Sequence, residues 1–203
     1  MNIDFHLFVD NFVSAIEAKD SYTAGHSDRV AEISLLLSQK LQLDDDLCFQ
    51  IHMAAHLHDI GKIGIPDGIL LKTGRLTSPE FEVMKSHSEV GFNILKNNPG
   101  LKQISKMILH HHERYDGTGY PDGISGREIP LGARIIAICD AFDAMVTRRT
   151  YKDKITLSAA KEEIIKQKHK QFDPDIADTF IELLNDTVTL EDIHQIISKS
   201  ATS

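Results

Sequence analysis

The sequence predicts an all-α fold in one domain. Apolar residues recur at intervals of three and four along most of the chain, which is the spacing of an amphipathic helix. No segment alternates apolar and polar residues convincingly, so we predict no β-strand. With 203 residues, of which 41% are hydrophobic and 26% charged, the chain is long enough to bury a sizeable core.

Three helices are predicted in the first third of the chain, at residues 3–19, 26–41 and 44–58. The acids at positions 44–46 mark the start of the third helix, because negative side chains stabilise a helix N-terminus. The connector that follows, residues 60–76, contains several glycines and a proline. We therefore predict that no continuous helix spans it.

The middle of the chain is predicted to form three shorter helices. Thr77-Ser78-Pro79-Glu80 fits a capping box with proline in the first turn, so a short helix begins there and leads to His87. A second helix is predicted at residues 88–96. A third runs from 101 to 112, after the turn Asn98-Pro99-Gly100.

The stretch at residues 109–131, LHHHERYDGTGYPDGISGREIPL, differs from the rest of the chain. It combines three consecutive histidines with a loop that contains four glycines and two prolines. Glycine permits positive φ and close backbone approach, as the wall of a pocket would require. A long apolar helix is predicted at 131–146, and three further amphipathic helices fill residues 157–198.

Composition and charge exclude several classes of function. The formal net charge of −8 argues against a nucleic-acid polymer as partner, because such binding needs clustered Lys and Arg. The longest apolar runs are shorter than the roughly 20 residues of a membrane span. No basic segment followed by an apolar stretch opens the chain, so no secretory signal is predicted. Cys48 and Cys139 are therefore expected to be reduced core residues in a cytoplasmic protein.

Histidine is the unusual residue of this chain, with 11 in all and eight of them between His26 and His112. Several lie beside acids on otherwise apolar helices, and the carboxylate of Asp140 would be costly to bury without a cation. Imidazoles and carboxylates without thiolates suit Fe, Mn, Ni or Zn. The candidate donors exceed what one ion takes, so we expect two metals sharing a bridging carboxylate, about 3.5–4 Å apart. These donors are His26, His58, Asp59, His87, His111, His112 and Asp140.

Other polar residues have simpler explanations. A lone buried histidine is usually a hydrogen-bonded core residue, and we apply this core interpretation to His6, His52, His56, His169 and His194. Asp143 is expected either to support a metal ligand or to pair with Arg134.

Two motifs carry a resemblance to a known family. His58-Asp59, followed by IGKIGIP, resembles the HD superfamily of metal-dependent phosphohydrolases. HHERYDGTGYP at residues 111–121 resembles the signature of its HD-GYP family. Similar blocks, namely EAKDSYTAGHS, KSHSEVG, PLGARIIAICDAFDAM and RRTYK, extend the resemblance over residues 17–174. It implies a single compact HD-type helical domain over residues 1–203, with the metal site between central helices and extra C-terminal helices at about 175–198.

The resemblance also implies an activity, which is hydrolysis of cyclic di-GMP to GMP or to linear pGpG by a metal-bridging hydroxide. All seven donors named above match the family's metal ligands, with Asp59 as the bridging carboxylate. Lys62 would contact the substrate phosphate, Arg149 and Lys152 would hold phosphate oxygens, and Tyr120 would line the pocket. The alternatives are hydrolysis of another cyclic dinucleotide such as cyclic GMP-AMP, or a non-catalytic sensor.

The resemblance further implies the cofactors and a partner. We expect two divalent ions, Fe or Mn, with Ni, Zn or Mg as alternatives. A third ion is not expected, because Tyr22 stands where three-metal relatives carry a glutamate ligand, and a phenol is a poor ligand at neutral pH. A GGDEF-domain protein is the candidate macromolecular partner, above all for the sensor alternative, and it would be engaged through the GYP loop, which contains Gly119, Tyr120 and Pro121.

Overall fold

A computed structural model of the protein describes residues 5–19, 25–147 and 155–199. Over these residues the chain is all-α, as predicted, and its one β-bridge joins Lys168 and Phe172. None of the described helices is both long and apolar enough to cross a membrane. The helices are α1 (Phe5–Lys19), α2 (His26–Lys40), α3 (Asp45–His56), α4 (Asp67–Leu70), α5 (Ser78–Lys85), α6 (His87–Leu95), α7 (Lys102–His110), α8 (Leu131–Val146), α9 (Leu157–Lys166), α10 (Pro174–Leu183) and α11 (Thr187–Lys199).

Most predicted helix boundaries are correct, and the differences fall on functional residues. Helix α3 ends at His56 rather than at 58, because a 3-10 helix with two glycines, Ile60–Gly64, follows at once. His58 and Asp59 therefore lie in the turn between the two. His87 begins α6 instead of ending α5.

Local sequence signals explain where helices start. The side chain of Asp44 caps α3 by accepting from the backbone N–H of Leu47 at 2.9 Å. At the start of α5 the predicted capping box is present, with Thr77 and Glu80 each accepting from the other's backbone N–H. These caps fix the points at which the chain enters the bundle.

One apolar core joins all the helices that carry the site. It runs from Val9 in α1 to Ile193 in α11 and includes fully buried residues of α2, α3, α7 and α8. The rings of Phe142 and Phe180, 5.2 Å apart, join α8 to α10. The C-terminal helices thus share the core of the preceding ones and hold the long helix α8 in place.

Gly61 allows the 3-10 helix to pack directly against α6. A Cβ at this position would overlap the carbonyl oxygen of His87 and lie 2.6 Å from the backbone nitrogen of Gly91. We expect Gly61→Ala to lower the free energy of unfolding by about 1–3 kcal/mol or more, because backbone cannot move aside as a side chain can. Urea denaturation would measure the change.

Gly68 provides the matched control. A Cβ there would meet nothing within 4 Å, and the residue lies in α4. Gly68→Ala should leave the midpoint of unfolding unchanged or raise it slightly. Equal midpoints for the two variants would contradict the packing described for Gly61.

Candidate metal centre

The seven predicted donors come from five parts of the bundle. His26 is the first residue of α2 and His87 the first of α6. His58 and Asp59 follow α3, His111 and His112 follow α7, and Asp140 lies inside α8. Because helix ends from separate parts of the sequence meet here, the structure brings all seven residues together.

Six of the donors form two groups of three. The ligand atoms of His26, His58 and Asp140 all lie within 4.8 Å of one another, and so do those of His87, His111 and His112. In the first group, Nε2 of His26 is 3.1 Å from Oδ1 of Asp140. In the second, the Nε2 atoms of His87 and His111 are 3.4 Å apart. Each group is compact enough to surround one ion.

Asp59, the seventh donor, lies between the two groups. Its Oδ2 is 3.4 Å from Nε2 of His58, and its Oδ1 is 3.7 Å from Nε2 of His87. Nζ of Lys62 lies 2.8 Å from the same Oδ2. Burial alone would raise the pKa of Asp59, but Lys62 and the nearby histidines outweigh burial and hold that pKa well below its usual value. The carboxylate is therefore ionised and faces both groups with different oxygens.

Backbone contacts orient the imidazole rings towards the centre. Nδ1 of His58, of His87 and of His111 each donates to the carbonyl oxygen three residues earlier, at 2.7–2.8 Å. With the proton on Nδ1, each Nε2 presents a lone pair to its group. Burial lowers the pKa of His58 and His111, and that of His112 to about 3. Neutral imidazoles are the form that binds metal, so these three histidines are in the form that a metal centre requires.

His26 is oriented by a buried ion pair instead of a carbonyl. Its Nδ1 lies 2.6 Å from Oδ2 of the fully buried Asp143. Arg29 donates to both oxygens of Asp143, at 2.7 and 3.1 Å. Burial favours a lower pKa for His26, but hydrogen bonds to Asp140 and Asp143 outweigh it and raise that pKa to about 9. Of the two partners considered for Asp143, the structure shows the candidate ligand His26.

The Arg134 alternative is excluded, because Arg134 pairs with Asp173 at 2.5 Å. Sequence reasoning did not single out Arg29. Its available signal was the three-residue spacing from His26 on α2, which places both side chains on one face of the helix.

Glu113, also not singled out from the sequence, holds the glycine-rich loop. Its side chain is buried, and Oε1 accepts from the backbone N–H groups of Asp122 at 2.7 Å and Gly123 at 3.0 Å. The backbone at Gly119 passes so close that a Cβ would lie 2.5 Å from Cα of Glu113, and Gly117 has a φ of 78°. The loop is thus fixed against the end of α7, as its glycines predicted.

Tyr120 lies beside the second histidine group. Its ring centroid is 4.9 Å from that of His112, and it lines a cavity of about 190 Å³ together with His111 and Asp140. On its other side, Nζ of Lys85 is 5.5 Å from the centroid of the Tyr120 ring. The aromatic ring therefore separates the donors from a surface cation that sequence reasoning did not identify.

Several predictions fall elsewhere. Tyr22, Arg149 and Lys152 lie outside the described residues, so their roles stay predictions. The core interpretation is wrong for His169 and His194, which are exposed on a turn after α9 and on the outer face of α11. For His6 it stays a prediction, because that side chain lies outside the described part of the structure.

Comparison with known proteins identifies the family. The HD domain family matches residues 12–176 of the chain. This chain belongs to the HD-domain family. The signature at 111–121 and its relatives place it in the HD-GYP group. Membership implies binding of divalent metal ions, and the two donor groups beside Asp59 are the candidate site.

The HD-GYP chain is similar to characterised proteins that are longer. It is 45% identical over 169 residues to a cyclic di-GMP phosphodiesterase of Thermotoga maritima, covering 82% of this chain and 46% of that protein. It is 39% identical over 176 residues to 3'3'-cGAMP-specific phosphodiesterase 2 of Vibrio cholerae, covering 86% and 34%. The chain thus spans less than half the length of these relatives.

A solved structure supports the fold. The crystal structure of a cyclic GMP-AMP specific phosphodiesterase of Vibrio cholerae superposes with a TM-score of 0.66 at 17% sequence identity. The match covers 90% of this chain and 53% of that one. The described helices therefore have the arrangement found in an HD-domain phosphodiesterase.

Proposed function

We propose that this chain is a metal-dependent phosphodiesterase that hydrolyses cyclic di-GMP to GMP or to linear pGpG. The observation that carries the proposal is the position of Asp59, one carboxylate facing two three-donor groups with separate oxygens. The relative of Thermotoga maritima, which is named for this activity, supports the choice of substrate.

The site would hold two divalent ions. His26, His58 and Asp140 would bind one, His87, His111 and His112 the other, and Asp59 would bridge them. Each ion would have four protein donors, and its remaining positions would be open to water and a phosphate oxygen. This arrangement requires no third ion. Nitrogen and oxygen donors without thiolate favour Fe or Mn, with Ni, Zn or Mg as alternatives.

The residues around the ions would each have a distinct role in hydrolysis. Bound divalent ions supply positive charge to the phosphate and lower the pKa of a bound water towards neutrality. Lys62, held beside Asp59 at 2.8 Å, would stabilise the negative charge that develops on the phosphate oxygens. Tyr120 would pack against the substrate from the pocket wall, and Arg149 and Lys152 would hold phosphate oxygens.

Asp143 would act as a positioning residue for the ligand His26. We expect Asp143→Asn to weaken metal binding by about 10- to 100-fold, because an amide cannot hold both the imidazole N–H and Arg29 as the carboxylate does. Metal titration of the apo protein, followed by isothermal calorimetry, would measure the loss.

The exposed Asp178 of α10 gives a matched control for this substitution. Asp178→Asn should bind metal with unchanged affinity. Unchanged affinity in Asp143→Asn would show that His26 keeps its position without the ion pair, contrary to the proposed role.

The substrate is testable with a panel of cyclic dinucleotides. Protein loaded with Mn or, under reducing conditions, with Fe would be incubated with cyclic di-GMP, 3'3'-cyclic GMP-AMP and cyclic di-AMP. Chromatography would separate the products. We expect cyclic di-GMP to be hydrolysed fastest, and hydrolysis to cease when a chelator is added. No product from any of the three would refute the enzymatic proposal.

A second candidate substrate is 3'3'-cyclic GMP-AMP. The similarity to the Vibrio cholerae enzyme named for that molecule favours it. Faster turnover of that compound in the panel would establish this alternative, whereas binding without turnover would establish a sensor.

We also propose that the GYP loop binds a GGDEF-domain protein. The proposed location of the chain is the cytoplasm. The loop presents Asp122, Arg127 and Glu128 to solvent, so charged groups are available to such a partner.

A further inference from the structure

A third group of histidines lies outside the centre described above. His52 and His56 are four residues apart on α3, and Asp28 and Glu32 are four residues apart on α2, which packs against α3. Residues at this spacing share one face of a helix. The two pairs therefore face each other across the contact between the helices.

This group is separated from the proposed catalytic ligands on α2. Successive residues of a helix are offset by about 100°, so Asp28 lies roughly 200° around α2 from His26. His26 points to Asp140 and Asp143 on α8. The acids at 28 and 32 instead face α3, on a side of the helix that the proposed reaction does not use.

The ring of His52 is oriented in the way that metal ligands are oriented. Nδ1 of His52 is 3.2 Å from the carbonyl oxygen of Ala31, and Nδ1 of His56 is 3.2 Å from Oδ1 of Asp28. A metal-bound histidine commonly donates its other ring N–H to a carbonyl, as His52 does, whereas the contact of His56 with Asp28 lacks the alignment of a hydrogen bond. The Nδ1 proton of His52 leaves a lone pair on its Nε2, which is directed at Nε2 of His56.

The Nε2 atoms of His52 and His56 are 3.2 Å apart. A tetrahedral ion with Zn–N distances of about 2.0–2.1 Å holds two ligand nitrogens about 3.3–3.4 Å apart. The separation also resembles the 3.4 Å between His87 and His111 in the catalytic group. In this structure the two rings are hydrogen-bonded to each other through these atoms, and an ion would take the place of the shared proton.

Glu32 supplies a third donor. Its Oε1 is 3.9 Å from Nε2 of His52, and the ligand atoms of all three residues lie within 4.8 Å of one another. The Glu32 side chain is half exposed, so it can move to complete the coordination, and solvent has access to the open position. Two imidazoles, one carboxylate and one water is a common zinc coordination.

We propose that His52, His56 and Glu32 form an additional site for one transition-metal ion, with Zn²⁺ as the best match. Asp28, with Oδ1 3.2 Å from Nδ1 of His56, adds negative charge beside the site. An ion at this position would join α2 to α3, the helices that lead to His26 and to His58. The site is independent of the proposed function, because none of its ligands belongs to the catalytic centre.

Anomalous X-ray scattering would locate the ion directly. Crystals of the Mn-loaded chain would be soaked in Zn²⁺ and measured above and below the zinc absorption edge. We expect a zinc peak between the two Nε2 atoms, and one additional metal per chain by elemental analysis. Zinc found only beside Asp59 would overturn the proposal and would indicate that the two imidazoles share a proton instead.

Substitutions that avoid the catalytic centre would test the affinity. We expect Glu32→Gln, which alters an exposed side chain, to weaken the additional zinc site about tenfold or more, and His56→Asn to remove it. Glu162→Gln and His194→Asn change exposed residues of α9 and α11 and serve as controls. Equal zinc stoichiometry in His56→Asn and in the controls would refute the assignment, and circular dichroism would verify that each variant is folded.

Discussion

The double substitution His58→Ala/Asp59→Ala is expected to abolish metal loading and hydrolysis together. It removes one donor of the first group and the carboxylate of Asp59, which faces both groups. Loss of a single group that stabilises developing charge costs about 10²–10³-fold in rate. Loss of the ions removes several such groups, so we expect turnover of cyclic di-GMP to fall at least about 10³-fold. Elemental analysis and product chromatography on one preparation would measure both effects.

A matched control is available on α11, where Asp192 and His194 are both exposed. Asp192→Ala/His194→Ala also removes one histidine and one aspartate, and it should retain full metal content and activity. An active, metal-free His58→Ala/Asp59→Ala protein would refute the assignment of the centre. A variant that keeps its metals but is inactive would restrict Asp59 to a role in the reaction itself.

Lys62→Ala is expected to separate metal binding from turnover. Lys62 contacts Asp59 at 2.8 Å but cannot itself be a metal ligand, because an ammonium has no lone pair. The ions should therefore remain bound, since their own charge replaces that of Lys62 beside the carboxylate. Turnover should fall about 10²–10³-fold, the usual cost of losing one group that stabilises the transition state.

Lys106, exposed on α7, provides the control for the loss of one positive charge from the protein. Lys106→Ala should have unchanged metal content and turnover. If Lys62→Ala loses its metals, then Lys62 acts by holding Asp59 in position, and the division of roles proposed above is wrong.

The helices could be predicted from the sequence because their signals are local. Apolar spacing marked α8 over its whole length, and the Thr77 capping box marked the start of α5. The errors occurred where packing decides the outcome. The end of α3 depends on how closely Gly61 approaches α6, which no local pattern records.

The same distinction between local and long-range signals applies to the candidate site. Its donors were recognisable because histidines and a buried aspartate are unusual on apolar helices. The residues that orient them were not, since Arg29 meets Asp143 across 114 positions of sequence. Glu113 likewise differs in no local respect from an exposed acid. Its role depends on the path of the loop back to Asp122.

The origin of the donors in five separate parts of the bundle also bears on how a newly made chain acquires its metals. Synthesis must have passed Asp140, and α2 must have docked on α8, before the first group is complete. A complete site for metal is therefore available only at the end of folding.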